Sequence, residues 1–194
     1  MNASSSKNRR VSPVSALAVI CAVPLIAAPV AIATAPAAHA SVSRIGLTNR
    51  VLEVHANNNA TSIRVRHSGA NTVVTEVGTN GTWTYPTGSV QRVVFNGGSA
   101  NDSFDAAGLN LPVLAKGNGG NDQLIGGNAR DTLVGAAGID TLSGGAEDDT
   151  LVTIDTRTDD TANGGPGRDT YWRDAVNGSY DSASVTADDF DNRV

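Results

Sequence analysis

The chain has 194 residues, of which 40% are hydrophobic and only 4% aromatic, and its formal net charge at pH 7 is −5. Its single cysteine, Cys21, excludes a framework of intramolecular disulfides. The acidic balance leaves no broad basic surface to neutralise phosphates, which argues against nucleic acid as a partner.

The first 40 residues have the pattern of a Sec signal peptide. A basic segment at 7–10 is followed by apolar residues from 14 to about 33, and Ala38-His39-Ala40 provides an A-x-A cleavage site. A membrane helix is the alternative interpretation, but two prolines interrupt the apolar stretch. We therefore expect cleavage after Ala40 and a secreted, extracellular chain of residues 41–194 with no membrane span.

Residues 41–96 are predicted to form short strands separated by turns. The segments RVLEV, TSIRVR, TVVTEV and VQRVVF are rich in β-branched residues, and clusters of Asn, Gly and Pro separate them. This segment carries five arginines and two glutamates, whereas residues 97–194 carry 17 acidic and six basic residues. A solvated acidic face is the simplest explanation of the second segment.

A repeat favours a different explanation. Residues 117–152 are one nine-residue unit written four times without a gap: GNGGNDQLI, GGNARDTLV, GAAGIDTLS and GGAEDDTLV. Each unit begins with Gly and has Asp at its sixth position and Leu at its eighth. Two further units, GGSANDSFD at 97–105 and GGPGRDTYW at 164–172, lie 11 residues before and after this block. A disordered linker would have no reason to keep its aliphatic residues in one phase.

The unit combines a turn with a strand. Glycine reaches positive φ without strain, so six Gly-rich positions can fold tightly and aim several carbonyl oxygens at one point. The last three positions are extended, and the middle side chain points away from its neighbours. Two units make one coil of 18 residues with the Leu side chains stacked inside. We therefore predict an all-β fold, a right-handed parallel β-roll or β-helix.

The block resembles the RTX, or hemolysin-type, calcium-binding repeat family, whose pattern is G-G-x-G-x-D-x-U-x with U a large aliphatic residue. The resemblance covers 97–172 firmly and 41–96 weakly. It implies that Ca²⁺ lies between neighbouring turns on the same edge, two units apart. Ca²⁺ takes six to eight oxygen ligands, so carbonyls would supply most of them and the Asp carboxylates the charge. We expect roughly three to five ions.

Applied to this sequence, the resemblance pairs Asp102 with Asp122 and Asp122 with Asp140 on one edge, and Asp131 with Asp149 and Asp149 with Asp169 on the other. Asp159 or Asp160 could serve opposite Asp140. The predicted metal ligands are Gly97, Gly98, Asp102, Gly117, Gly119, Asp122, Gly126, Asn128, Asp131, Gly135, Ala137, Asp140, Gly144, Ala146, Asp149, Asp160, Gly164, Gly167 and Asp169.

Several positions depart from the pattern. Ala100, Ala129 and Glu147 occupy the fourth position, and Asn118 and Ala136 the second, where Gly is usual. Ala tolerates the left-handed region only at a cost of about 1 kcal/mol. We expect such turns to bind more weakly, or to fold only together with calcium.

The flanks fit the pattern less well. Residues 56–64 align with the unit but carry Thr61 in place of Asp, so we expect 41–96 to be metal-free coils and a cap of the same solenoid. A separate small β-domain is the alternative. Residues 173–194 are predicted to be a C-terminal cap or tail, with Asp188, Asp189 and Asp191 off the repeat phase and solvated.

The function predicted from these features is extracellular calcium binding coupled to folding, and the retained Asp in all six clean units argues against a solenoid that has lost calcium. G-x-S-x-G and H-E-x-x-H are absent, and 41–96 is short for a catalytic domain, so we expect no enzyme activity. The alternatives are a calcium-ordered adhesion or matrix module, with self-association or a cell-surface partner, and an accessory array of an extracellular enzyme or toxin.

Overall fold

The computed structural model describes residues 32–33, 41–79, 81–156, 159–176, 179–186 and 188–194. The predicted signal peptide therefore lies outside the described residues, except for Ile32 and Ala33. Among the described residues, no helix has the length and apolar character needed to cross a membrane.

Nineteen strands are described, together with one turn of 3₁₀ helix at Thr87–Ser89. In chain order the strands are β1 (Ile32–Ala33), β2 (Val42–Thr48), β3 (Val51–Ala56), β4 (Ser62–Ser68), β5 (Asn71–Glu76), β6 (Thr82–Pro86), β7 (Arg92–Asn96), β8 (Ser103–Asp105), β9 (Val113–Gly119), β10 (Gln123–Ile125), β11 (Thr132–Ala137), β12 (Thr141–Ser143), β13 (Thr150–Val152), β14 (Thr161–Asn163), β15 (Thr170–Arg173), β16 (Ala175–Val176), β17 (Ser179–Tyr180), β18 (Ser182–Ala183) and β19 (Phe190–Arg193).

The strands form a parallel β-solenoid of about five turns, which confirms the predicted all-β fold. One sheet has the order β1-β6-β5-β4-β8-β10-β12-β14-β18, and the facing sheet has the order β19-β15-β13-β11-β9-β7-β3-β2. Along the repeat, successive strands of the chain alternate between the two sheets. Each coil therefore places its two turns on opposite edges of the solenoid.

The eighth position of each unit fills the space between the sheets. Leu124 pairs in register with Phe104 on one side and with Leu142 on the other. In the facing sheet, Leu133 pairs with Leu151. All five side chains are at most 1% exposed. Because burial of a Leu or Phe side chain contributes about 1.5–3 kcal/mol, this stack is a major source of stability.

The N-terminal strands continue both sheets. β7 pairs in parallel with β3 on one side and with β9 on the other, and β4 pairs in parallel with β8. The same strands also take part in antiparallel hairpins, β2–β3 and β4–β5–β6. β1, which falls in the predicted signal peptide, pairs antiparallel with β6. That residues 41–96 are metal-free coils and a cap, rather than a separate small β-domain, stays a prediction.

The C-terminal segment also joins the solenoid. β18 extends one sheet next to β14, and β19 extends the other next to β15. Between β15 and β18 in the chain, β16 and β17 form a small antiparallel hairpin of their own. The segment predicted as a cap or tail thus adds a further layer of parallel strands.

Candidate metal sites on the two edges of the solenoid

A ladder of carboxylates runs along the first edge. At each step of this ladder, which we call a rung, a backbone N–H donates to the Oδ1 atom of the aspartate in the next coil. Asp102, Asp122 and Asp140 hold the sixth position of a repeat unit, whereas Asp160 and Asp181 lie outside the clean units. The donor and acceptor residues are Thr61 to Asp102 at 2.8 Å, Asp102 to Asp122 at 2.7 Å, Asp122 to Asp140 at 2.8 Å, Asp140 to Asp160 at 2.7 Å, and Asp160 to Asp181 at 3.3 Å.

The second edge carries a ladder of the same kind. It begins at Val113, where the repeat has no aspartate, and continues to the C-terminal strand. The donor and acceptor residues are Val113 to Asp131 at 2.8 Å, Asp131 to Asp149 at 2.8 Å, Asp149 to Asp169 at 2.9 Å, and Asp169 to Asp189 at 2.8 Å.

The ladders bring together the same-edge aspartates that the sequence pairs. The two extra residues in each 11-residue unit are absorbed in the turns, so a spacing of 20 residues still places aspartates on adjacent rungs. Of the two candidates opposite Asp140, Asp160 occupies the rung. That these residues ligate a metal ion stays a prediction.

Two rungs were missed by sequence reasoning. Asp181 follows Asp160 on the first edge, and Asp189, which we expected to be solvated, follows Asp169 on the second. The 20-residue spacing from Asp169 to Asp189 could have revealed the second of these rungs. Asp191 is engaged by Arg173 and Arg193 through salt bridges.

The second carboxylate oxygen of most rungs lacks a partner. The seven predicted rung aspartates from Asp102 to Asp169 are at most 3% exposed. Asp102 and Asp131 satisfy their Oδ2 atoms through the N–H groups of Gly98 and Gly127. Buried Oδ2 atoms without a hydrogen-bond partner belong to Asp122, Asp140, Asp149, Asp160 and Asp169. A buried anionic oxygen without a partner costs free energy, which a cation would offset.

The pKa values of the rungs reflect the same cost. Burial, together with the neighbouring carboxylates of Asp140 and Asp102, raises the pKa of Asp122 to about 7. Burial also raises the pKa of Asp149 and Asp160 to about 7 and that of Asp131 to about 6. The ladder therefore disfavours its own negative charge unless protons or cations compensate it.

The first glycine of each unit lies directly beneath the rung carboxylate. A Cβ on Gly117 would overlap Asp122 Oδ2, and it would lie 2.8 Å from the carbonyl oxygen of Gly135 in the next coil. A Cβ on Gly126 would likewise meet Asp131 Oδ2 and the carbonyl oxygen of Gly144. These first-position glycines do not have positive φ, so close approach, rather than turn conformation, requires Gly there.

This packing gathers oxygen atoms at the start of each turn. Above the first glycine, the carboxylate oxygen of its own unit lies beside the carbonyl oxygen of the next turn on the same edge. The pattern recurs at Gly97, Gly117, Gly126 and Gly144, and at Gly135 and Gly164 the carboxylate contact is kept. Such a mixture of carboxylate and carbonyl oxygens suits Ca²⁺.

Positive φ occurs at the second and fourth positions of the units that begin at Gly117, Gly135, Gly144 and Gly164. Asn118, Ala136 and Glu147 have φ values of 75°, 72° and 72°, so three of the five departures from the repeat pattern adopt the left-handed conformation. Ala100 and Ala129 do not share it. The strain expected from the sequence is therefore present at Ala136, in the turn that leads to Asp140.

Third-position residues bind the turns to one another. The N–H of Gly119 donates to the Gly98 carbonyl at 3.2 Å, and that of Ala146 donates to the Gly127 carbonyl at 3.0 Å. Asn128 N–H donates to the Leu109 carbonyl at 2.7 Å. Ala137 pairs in register with Gly119. A predicted fourth-position ligand, Gly167, packs against the Glu147 carbonyl of the preceding same-edge turn.

Side chains alone do not form a metal site. Within the part of the chain that the structure describes, no three His, Cys, Asp or Glu side chains are gathered as a metal-binding group. The residues present fit a cation only when backbone oxygens contribute. This is the donor set that the glycine turns supply.

Comparison with protein families agrees with this chemistry. Residues 116–151 match the RTX calcium-binding nonapeptide repeat in four copies, and these repeats bind Ca²⁺. The family is typically structural or binding rather than catalytic. Neither the curated proteins nor the solved structures include a match to the chain.

Proposed function

We propose that this chain, a calcium-binding protein with four RTX nonapeptide repeats, is secreted and that Ca²⁺ binding between its stacked turns is coupled to its folding. The observation that supports this most directly is the set of buried Oδ2 atoms without partners. Those of Asp122, Asp140, Asp149 and Asp169 each lie against the first glycine of a turn, at the same place in successive coils.

Coupling to folding follows from the charge of the ladders. Closing one coil onto the next brings Asp122 beside Asp140, and Asp149 beside Asp131 and Asp169. Folding therefore concentrates like charges in a buried row, where their mutual repulsion is weakly screened. A cation held between successive rungs removes that cost only in the folded state, so its binding free energy adds to the stability of the fold.

The ligands that we assign are the rung carboxylates and the turn carbonyls. Asp102, Asp122, Asp140 and Asp160 would serve the first edge, and Asp131, Asp149 and Asp169 the second. The glycines at the first positions would supply carbonyl oxygens and the space above their Cα atoms. The Oδ1 atoms are already used by backbone N–H groups, which leaves the unpartnered Oδ2 atoms to face the ion; these belong to Asp122, Asp140, Asp149, Asp160 and Asp169.

Secretion rests on the predicted signal peptide. Ser41, the first residue after the predicted cleavage site, is the first residue of the solenoid segment and accepts a hydrogen bond from Asn57 N–H at 2.8 Å. Cleavage after Ala40 would therefore remove the targeting segment without removing β2. Extracellular calcium modules work at about 10⁻⁴–10⁻³ M, a range that the outside of a cell can supply.

Two measurements test this proposal. Isothermal titration of residues 41–194 with CaCl₂ should show saturable binding of several ions, with MgCl₂ as the control for non-specific binding to acidic groups. Absence of saturable calcium binding would refute the calcium function. N-terminal sequencing of protein recovered outside the producing cells should begin at Ser41, and protein retained inside the cells with an intact N-terminus would refute secretion.

A further inference from the structure

One buried carboxylate lies outside both ladders. Glu76 is the last residue of β5, where it follows Thr72 and Val74 on the buried face, and it is 1% exposed. Its backbone is fixed, because its N–H donates to the carbonyl oxygen of Gly81 at 2.9 Å. A carboxylate in an apolar core costs free energy unless hydrogen bonds and a cation compensate it. Packing alone therefore does not explain an acid at this position.

The Glu76 carboxylate contacts two hydroxyl groups. Ser41 Oγ donates to Oε1, and Thr79 Oγ1 donates to Oε2 at 2.9 Å. Thr79 lies in the turn that follows β5, whereas Ser41 directly precedes β2. The carboxylate thus joins the turn between β5 and β6 to the first residue after the predicted signal peptide.

The backbone of Ser41 is held beside this carboxylate. Its carbonyl oxygen accepts from Asn57 N–H at 2.8 Å and from Thr61 Oγ1 at 3.0 Å. The residue that follows it already belongs to β2, which pairs with β3. In a serine, only Cα and Cβ separate the backbone nitrogen from Oγ. A carboxylate that accepts from Oγ is therefore within reach of the nitrogen as well.

Signal-peptide cleavage would change the chemistry of that nitrogen. In the precursor it is part of the peptide bond to Ala40. Hydrolysis adds one water molecule across this bond, so a carboxyl group leaves with residues 1–40 and an amino group stays on Ser41. An α-amino group has an ordinary pKa of about 7.7–8.0 and is largely protonated at neutral pH. Processing would thus create a cation beside a buried carboxylate, where the attraction is weakly screened.

We propose that Glu76 is the receptor site for the α-ammonium group of Ser41, and that the ion pair formed after cleavage fastens the mature N-terminus to β5. The proposal rests on the secretion and cleavage proposed above and goes beyond calcium binding. Capture of an N-terminal amine at a fixed site is a recurring mode of recognition in proteins. The precursor lacks this ion pair, because the nitrogen of its residue 41 is an uncharged amide.

The chemical reactivity of the mature N-terminus tests this site. The full chain is produced, and the secreted protein is compared with that of a variant carrying one glycine inserted between Ala40 and Ser41. Because the ion pair keeps the amine protonated and buried, we expect an amine-selective reagent to modify the wild-type N-terminus about tenfold more slowly. Lys116, the only lysine in residues 41–194, is exposed and should react equally in both proteins.

Thermal unfolding of the secreted proteins in calcium provides a second readout. The inserted glycine should lower the unfolding midpoint by a few degrees. In a Glu76→Gln background the same insertion should have little effect, because the ion pair is already lost and the two changes are not additive. Glu53→Gln is the matched control, since Glu53 pairs with Arg44 instead, and it should leave the effect of the insertion unchanged.

Two results would overturn the proposal directly. One is equal reactivity of the wild-type and inserted N-termini, a readout that needs no substitution of Glu76 and therefore holds even if Glu76→Gln does not fold. The other is an insertion that lowers the midpoint equally with and without the Glu76 carboxylate.

The failure of this site can be told apart from failure of the proposed function. Secreted protein that begins at a residue other than Ser41 would refute both the proposed cleavage and this site. Secreted protein that begins at Ser41 and reacts as fast as the inserted variant would refute this site alone. Absence of calcium binding would refute the calcium function, while slow reaction of the Ser41 amine would still support the ion pair with Glu76.

Discussion

Thr61 and Asp122 occupy equivalent rungs of the first-edge ladder, one in the N-terminal region and one in the repeat. The two regions satisfy the buried polar side chain at that rung differently. The Thr61 hydroxyl donates within the protein, to the carbonyl oxygens of Ser41 and Asn59, both at 3.0 Å. Asp122 Oδ2 has no such partner, and its neighbours on the ladder are further carboxylates. The neutral side chain finds its hydrogen-bond partners within the protein, whereas the charged carboxylate needs a cation. Dependence on calcium should therefore be confined to residues 97–194.

The two regions also end their sheets differently. The N-terminal strands turn back on themselves in antiparallel hairpins, β2–β3 and β4–β5–β6, which contain no carboxylate ladder among the described residues. The repeat stacks short parallel strands of three residues, such as β10, β12 and β13. Strands this short make few backbone hydrogen bonds per coil. We therefore expect the ladders at the edges to contribute much of the stability of the stacked coils.

The largest effect should come from adding a methyl group beneath a rung. Gly117→Ala would force a Cβ into Asp122 Oδ2 and the Gly135 carbonyl, so we expect a loss of about 3 kcal/mol in calcium-saturated stability. Gly46→Ala in β2, where a Cβ would meet nothing within 4 Å, is the matched control and should change stability by less than about 0.5 kcal/mol. Chemical denaturation measures both losses of stability. Equal losses in the two variants would contradict the conclusion that close approach of the carboxylate requires Gly at the first position.

Removing a rung charge should weaken calcium binding directly. Asp122→Asn keeps the Oδ1 acceptor for the Asp102 N–H but removes the anionic ligand, so we expect at least a tenfold weaker site, about 1.4 kcal/mol, by calorimetry. Asp148→Asn, which disrupts an exposed salt bridge with Arg130 and keeps the Oδ1 acceptor for the Arg168 N–H, is the control with the same charge change. If both variants weaken binding equally, bulk acidity rather than the ladder would attract calcium.

Acidification should act in opposite directions with and without calcium. The raised pKa values of Asp122, Asp131, Asp149 and Asp160 mean that the folded chain holds protons which the unfolded chain releases above its ordinary pKa of 3.8. In calcium-free buffer, their contribution to stability is complete below about pH 4 and is lost as the pH rises through about 6–7.

Circular dichroism checks this pH dependence. We expect β structure in calcium-free buffer to increase as the pH falls from about 7.5 to about 5, because protons then neutralise the rungs. At a fixed, barely saturating calcium concentration the same change should weaken binding, because protons compete for the carboxylates. Stability that rises with pH in calcium-free buffer would contradict the assigned burial of the rungs.

The smallest effect is expected at the neutral rung. Thr61→Val removes the hydroxyl that donates to the Ser41 and Asn59 carbonyls while keeping the side-chain shape, so we expect a loss of about 1 kcal/mol. The number of bound calcium ions should stay the same. If this variant bound one ion fewer, a metal site would lie in the N-terminal region. That result would contradict the claim that calcium dependence is confined to residues 97–194.

The repeat phase predicted most of the ladder because a fixed period leaves little freedom in stacking. Leu124 over Leu142 and Asp122 beside Asp140 follow from the 18-residue coil alone. The reason for Gly117 did not follow, because close approach of a carboxylate from the same unit is a tertiary fact. The sequence suggested turn conformation instead, which applies at the second and fourth positions.

The ends of the solenoid were less predictable. Asp181 and Asp189 lie in turns without the glycine pattern, so nothing local marks them as rungs, and their positions depend on how β18 and β19 pair. The antiparallel hairpins that precede the repeat also follow no period. Pairings between segments of unlike sequence are set by packing against the neighbouring coil rather than by any local signal.

Far-UV circular dichroism of residues 41–194, first in chelator and then titrated with Ca²⁺ beside a Mg²⁺ control, tests the coupling of calcium to folding most directly. The account predicts a partial β spectrum in chelator, from the N-terminal strands, and a gain of β structure with Ca²⁺ alone. A complete β spectrum in chelator that Ca²⁺ leaves unchanged would contradict it, since the rungs would then be stable without a cation.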